Sequence, residues 1–263
     1  MEAVVLAGGA MPAALVEATD ASERALIEIE GRTMLSRVLD SLREVPAVTR
    51  IICVATPGAL ASLGDDIVGI EAGDKLTKNL LKGARVAESE RILIVTADAP
   101  LVSGRTWMQF LDGASLNSLE AAYPIVRKAD VEAQFPGGTR TYGHLGDGSF
   151  TGGNAFLVPR ERLNDMEALI ERGFAARKNP FALARILGLG FIFRALTKKL
   201  TIGEIEHKVS KLLGCRSGAV IVPDASIAFD VDKPSDLTAA REIAAKRAGV
   251  ARAVENAENG MSQ

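Results

Sequence analysis

The sequence predicts an α/β protein built on a three-layer, mostly parallel sheet, and three observations carry that expectation. Short apolar runs at residues 3–7, 51–55 and 92–96 alternate with segments of helical period, as parallel strands buried on both faces do. The first run ends in Gly8-Gly9 and the third is followed by Asp98, residues suited to the strand ends where open α/β sheets bind ligands. A chain of 263 residues, 48% apolar and 24% charged, has ample material for one large domain with a subdomain.

Taken in order, residues 3–7 are the first strand, and Thr33 to Arg43 form an amphipathic helix with Met34, Leu35, Val38, Leu39 and Leu42 on one face. A second strand, residues 51–55, is stopped by Thr56-Pro57-Gly58. A weaker strand at 67–71 precedes a helix whose apolar face is Leu76, Leu80, Leu81, Ala84 and Ala87. Past the strand at 92–96, Ser103 caps a helix to about Asp112, and residues 121–126 make another strand. Residues 128–148, rich in glycine and charge, read as loop with one hairpin; 151–158 read as a strand, after which Pro159 can open a helix. Residues 164–214 read as a helical insertion, with Asn179-Pro180 as one helix start, a Thr201 to Glu204 capping box as another, and Gly214 as a stop. Strands at 219–222 and 227–231 follow, and Asp232-Lys233-Pro234 opens a last helix to about Arg247. The domain so read covers residues 1–250, with 251–263 as a frayed tail.

Bulk properties exclude several functions. A net charge of −2 gives no basic field for nucleic acid. Cys53 and Cys215 are too few for a disulfide framework and are expected as reduced, structural thiols of a cytoplasmic protein. The N-terminus lacks the basic n-region of a signal peptide. The apolar stretch from Phe181 to Leu196 is interrupted by Arg185 and Arg194 and is too short to span a bilayer. It has three readings: core helices, a self-association surface that would make a homodimer, or, least favoured, a membrane-surface helix. The expectation is that it flanks the acceptor side and buries its apolar face against protein.

The glycine pair lets backbone N–H groups approach a phosphate or base closely, yet any tight turn can use two glycines. Ala10, Met11, Pro12 and Ala13 follow, so the dinucleotide fingerprint is absent and a Rossmann oxidoreductase is disfavoured. Gly148-Ser149-Phe150 lacks the spacing of a nucleophile elbow, and His144 and His207 are too few for a histidine metal cluster.

Four pieces in order raise the signal. They are Leu6-Ala7-Gly8-Gly9; Arg24 to Leu35, which contains Gly31-Arg32-Thr33-Met34; Ile92 to Leu101, which contains Asp98-Ala99-Pro100; and Asp230-Val231-Asp232-Lys233-Pro234-Ser235-Asp236-Leu237. Together they resemble the nucleotidyltransferase family that includes the molybdenum-cofactor guanylyltransferases and the sugar-phosphate nucleotidyltransferases, the NTP transferase domain. The resemblance spans residues 3 to 237. It implies transfer of a nucleoside monophosphate from an NTP to a phosphorylated acceptor, with Mg²⁺ or Mn²⁺ held by Asp98 and Asp232. A hard cation held by oxygen ligands neutralises phosphate charge and orients in-line attack, so the chemistry needs no protein nucleophile. Read singly, Asp98 is a turn residue before proline and Asp232 a helix N-cap.

The resemblance also implies nucleotide contacts from Leu6, Ala7, Gly8 and Gly9, and from Arg24 where the family usually carries a lysine. Gly73 and Asn79 stand where the family contacts base and ribose; the plainer reading is a turn and an exposed asparagine. The acceptor side falls to Arg140, Tyr142, Gly153 and Asn154, with Arg140 able to take a phosphate bidentately; without the resemblance these read as a hairpin with a solvated arginine. One departure stands out: Ala10 to Glu23 contains no basic residue, where the family has a phosphate-binding arginine. Two alternatives stay open. A nucleotide-sugar glycosyltransferase would normally carry D-x-D, whereas Thr96-Ala97-Asp98 supplies one aspartate; a non-catalytic nucleotide binder would keep the fold and lose the phosphate grip.

Overall fold

The computed structural model describes residues 1–137, 140–163 and 188–260. In its first half β1 (Glu2–Ala7) leads through a loop holding the short α1 (Ala13–Val16) to a hairpin of β2 (Glu28–Ile29) and β3 (Arg32–Thr33). Then come α2 (Met34–Arg43), β4 (Arg50–Ala55), α3 (Pro57–Ala61), β5 (Ile67–Glu71), α4 (Leu76–Val86), β6 (Arg91–Thr96) and α5 (Gly104–Leu116). β1 is central, parallel to β4 on one side and to β6 on the other, with β5 parallel beyond β4. Alternate β1 residues serve opposite cores. Ala3, Val5 and Ala7 belong to the core of α2 and α5, while Val4 and Leu6 share theirs with Leu81 and Ala84 of α4. Burial on both faces is why the strand reads as an unbroken apolar run. Trp107, fully buried in α5, donates its indole N–H to Ser41 Oγ of α2 at 2.9 Å and so ties the two helices together.

The second half holds β7 (Ala121–Arg127), α6 (Lys128–Gln134), β8 (Gly143–Leu145), β9 (Gly148–Gly152), β10 (Ala155–Pro159), α7 (Leu189–Leu196), α8 (Ile202–Leu213), β11 (Ser217–Ile221) and α9 (Pro234–Gly260). β10 is antiparallel to both β6 and β7, whereas β11 runs parallel to β7. The sheet is therefore mostly parallel with helices on both faces, the predicted three-layer α/β class.

Several local expectations are corrected. Lys128–Gln134 is a helix, in a stretch read as loop; its one buried side chain, Val131, gives the sequence little period to show. The strand expected at 151–158 is two, because Gly153 N–H still donates to Pro124 O of β7 while Asn154 N–H turns to Ile227 O, a bulge that shifts the pairing with β7 from Ile125 opposite Gly152 to Ala122 opposite Leu157. Residues 227–231 are not a strand: a 3₁₀ turn, Ala225–Ala228, is capped by Asp224, and extended chain follows. The final helix continues past Arg247 to Gly260. The Thr201–Glu204 capping box and the left-handed Gly214 stop are both present around α8. Asn179-Pro180 and residues 181–187 of the expected apolar hairpin lie outside the described residues. In α7, Phe193 and Leu196 are 68% and 78% exposed, so the expected burial within the subunit fails for these two. It is α8 that covers the sheet: Ile202, Ile205, Val209 and Leu213 line one wall of an apolar cavity of about 560 Å³, with Tyr123 and Phe156 opposite. Among the described residues no helix is long and apolar enough to cross a membrane. Cys53 and Cys215 are both unpaired and buried; burial pushes the Cys53 thiol up to about 12, which leaves it unreactive.

Candidate active site

The site lies at the carboxyl edge of β1 and β6. Leu6 of β1 pairs with Thr96 of β6, and Ala97 N–H donates to Leu6 O at 3.1 Å, so Gly8-Gly9 and Asp98 leave the sheet side by side. Gly8 is required there for packing, since a Cβ would overlap the methyl of Ala72. The last turn before α9 closes the edge: Val231 N–H donates to Asp98 O at 3.0 Å, which sets Asp232 next to Asp98. Asp236 supports this turn by accepting from Asp232 N–H and Lys233 N–H, each at 3.2 Å.

Arg24, on a 3₁₀ turn, joins the two carboxylates. Its Nη2 is 2.8 Å from Asp98 Oδ2, meets Asp232 Oδ1, and donates to Val231 O at 2.8 Å. Burial and the neighbouring Asp230 push the Asp232 carboxyl up, against the pull of Arg24. Asp98 Oδ1 is buried with no hydrogen-bond partner. An unpartnered anionic oxygen beside a second carboxylate suits a hard divalent cation. Among the described residues no three His, Cys, Asp or Glu side chains are grouped to hold a metal. The protein thus offers two carboxylates, the small set that Mg²⁺ typically takes when substrate phosphates supply the remainder of its shell.

The acceptor candidates divide. Arg140, Gly153 and Asn154 line one polar cleft of about 410 Å³ together with Asp232. Tyr142 does not line it; it packs on the core with the Lys128 ammonium over its ring. Arg140 pairs with Asp230 and stacks over Phe229, with 4.9 Å from guanidinium carbon to ring centre. Asn154 donates its amide to Ile227 O at 3.2 Å. Among the cleft residues that the sequence did not single out as site residues are Tyr123, Asp230 and Lys233. Asp230 and Lys233 sit inside the closing motif already singled out, so their signal was adjacency; Tyr123 carried none beyond a polar-tipped aromatic in a strand.

On the nucleotide side, Leu6, Ala7, Gly9, Arg24 and Asp98 line a narrow crevice of about 30 Å³. Asn79 is 4% exposed, which corrects the exposed-asparagine reading. Its amide accepts from Gly73 N–H at 2.7 Å and donates to Gly73 O at 2.9 Å, so it shapes that loop. The loop without basic residues is anchored elsewhere: Glu23 accepts from Thr56 Oγ1 and from the N–H groups of Gly58 at 3.0 Å and Ala59 at 2.7 Å. Its last acidic residue is therefore structural, and lies turned toward α3.

Comparison with known proteins agrees with this arrangement. A family model described as the MobA-like NTP transferase domain matches residues 3–180. No curated protein sequence matches the chain. Among solved structures, a hypothetical transferase from Thermus thermophilus is 32% identical, with a TM-score of 0.77 over 90% of this chain and 100% of that one. The 2-C-methyl-D-erythritol 4-phosphate cytidylyltransferase of Thermus thermophilus is 18% identical, with a TM-score of 0.54 over 93% of this chain and 99% of that one. A nucleotidyl transferase from Methanothermobacter is also 18% identical, with a TM-score of 0.53 over 92% and 95%.

Proposed function

Because this chain belongs to the MobA-like NTP transferase domain family and is a nucleotidyltransferase, we propose that it moves a nucleoside monophosphate from an NTP onto a phosphorylated small-molecule acceptor, with a divalent metal. The observation that carries this reading is the meeting of Asp98 and Asp232 on Arg24 beside a polar cleft. The metal, Mg²⁺ or Mn²⁺, would be held by these two carboxylates and would supply charge neutralisation at the α-phosphate. Leu6 to Gly9 and the Gly73 loop, held by Asn79, frame the nucleotide. Arg24 takes the triphosphate, and the exposed Lys75 and Lys78 flank the Gly73 loop as further cations. Arg140 and Lys233 are the cleft's cations for a phosphate monoester, set among Asp230, Asp232 and Asp236, and Tyr123, Gly153 and Asn154 shape its walls. An acceptor oxygen attacks the α-phosphorus in line, the α–β bridging bond breaks, and pyrophosphate leaves.

A phosphorylated acceptor is also supported by the cytidylyltransferase whose name carries a polyol phosphate. We place the reaction in the cytoplasm, a setting that two unpaired, buried thiols suit. The test is pyrophosphate release from each of the four NTPs against a panel of sugar and polyol phosphates. With the productive pair in hand, Asp98→Asn and Asp232→Asn are each expected to lower turnover on the order of a hundred- to a thousand-fold without changing the circular dichroism spectrum. Near-normal turnover in either folded variant sinks the metal assignment.

A further inference from the structure

Arg24 occupies the position between two carboxylates that a metal would take. A single nitrogen, Nη2, serves three acceptors, namely Asp98 Oδ2, Asp232 Oδ1 and Val231 O. It carries only two protons, so one contact is electrostatic alone. Meanwhile Arg24 Nε is buried with no partner, and so is Asp98 Oδ1. A guanidinium matched to a carboxylate presents two parallel N–H groups. Here one corner is crowded, the rest of the fork lies unused, and an anionic oxygen is left bare. The contacts are those of a counterion in a gap built for something else.

Charge explains why it stays. Among the described residues Asp98 and Asp232 pair only with Arg24, and Asp230 pairs with Arg140, so two carboxylates share one guanidinium. A divalent cation entering with Arg24 in place would set two cations against the same oxygens at contact distance. With Arg24 gone and nothing to receive it, a buried guanidinium would lose its partners. A triphosphate solves both problems, since it accepts the guanidinium and brings oxygens that complete the metal's shell.

We propose that Arg24 is a displaceable counterion: it holds the Asp98–Asp232 pair in the nucleotide-free protein and yields it to the metal only as the triphosphate arrives. The inference rests on the metal-dependent reading above and adds an order of events, in which cation and nucleotide enter together. Linkage makes the coupling reciprocal, so nucleotide raises metal affinity by the factor by which metal raises nucleotide affinity.

The experiment is titration of the full chain with Mn²⁺ alone, free Mn²⁺ being read by electron paramagnetic resonance, and again with each NTP. The native protein is expected to bind Mn²⁺ alone weakly and to gain more than about tenfold with its nucleotide. Arg24→Gln is expected to bind Mn²⁺ alone at least about tenfold more tightly than the native chain and to gain less from nucleotide. Adding Asp98→Asn to Arg24→Gln abolishes that gain if the ion sits on the carboxylate pair. Arg24→Lys, which keeps the charge and guards against misfolding of the glutamine variant, should stay weak like the native chain. Arg24→Gln binding no tighter than native, or native protein binding Mn²⁺ equally well with and without nucleotide, overturns the proposal. Turnover that survives EDTA sinks the metal reading itself, whereas metal-dependent turnover with unchanged Mn²⁺ binding in Arg24→Gln sinks only the counterion.

Discussion

The two halves of the sheet are built differently. Around β1, β4 and β6, every strand residue from Ala3 to Ala7 and from Ile51 to Ala55 is buried, and helices close both faces. Around β7, β9 and β10, one face carries close-packed Val126 and Ala155, while the other opens on the apolar cavity under α8. Not one α8 residue is buried. The packed half carries Gly8, Gly9 and Asp98; the looser half carries the cleft with Arg140, Gly153 and Asn154. In the proposed reading the packed half grips the triphosphate, and such a grip profits from rigidity. A loosely covered wall can change with little cost to the fold.

The contrast can be broken by unfolding measurements. Trp107→Ala, in the packed half, should cost about 3–5 kcal/mol in urea denaturation. Val209→Ala, on the cavity wall, should cost about 1 kcal/mol or less, since its neighbours already leave space. Equal losses would mean that the cavity wall is as integral as the core. A sharper probe is Gly152, where a Cβ would overlap the Tyr123 hydroxyl. Gly152→Ala should move that ring and raise the acceptor KM about tenfold, with the NTP KM unchanged. A rise in both would make the halves one functional unit.

The smallest effect expected is with pH. Burial raises the Glu23 carboxyl, but hydrogen bonds from Thr56, Gly58 and Ala59 outweigh it, and the net shift is below the ordinary value near 4.5. A carboxyl lowered by folding contributes stability above its unfolded value and loses it as pH falls through the folded one. The chain should therefore lose stability on acidification below about 4.5, and Glu23→Gln should flatten that slope while lowering stability at neutral pH. Urea midpoints between pH 3 and 7 that show the same slope in both proteins would remove Glu23 from the acid response.

How much was legible in the sequence follows the same division. In the packed half, burial on both faces wrote unbroken apolar runs, and Gly8-Gly9 and Asp98 stood at their ends as read. In the looser half the pattern failed wherever pairing was incomplete. Residues 227–231 look like a strand because Ile227, Phe229 and Val231 are apolar, yet they are buried as a turn against Asp98 and Asn154. Lys128–Gln134 buries only Val131, so no helical period could show. Tyr142 was placed in the cleft by its neighbour Arg140, although its ring packs on the core beneath Lys128. Asn79 looked solvated because nothing local announces that both ends of its amide fold back on Gly73.

The link between Arg24 and Asp232 spans 208 residues of chain. Closing so long a loop is entropically slow, and contacts of this separation form after local ones. During synthesis β1 and β6 leave the ribosome before the extended segment 229–232. Until that segment emerges, Asp98 has no second carboxylate beside it and Arg24 no bridge. Pulse-labelled hydrogen exchange during refolding should find the Val231 amide protected after those of β1, and a ribosome-stalled chain ending before residue 229 should turn over no NTP. The candidate site is thereby a late checkpoint of folding: only a chain translated past residue 232 can join Asp98, Arg24 and Asp232.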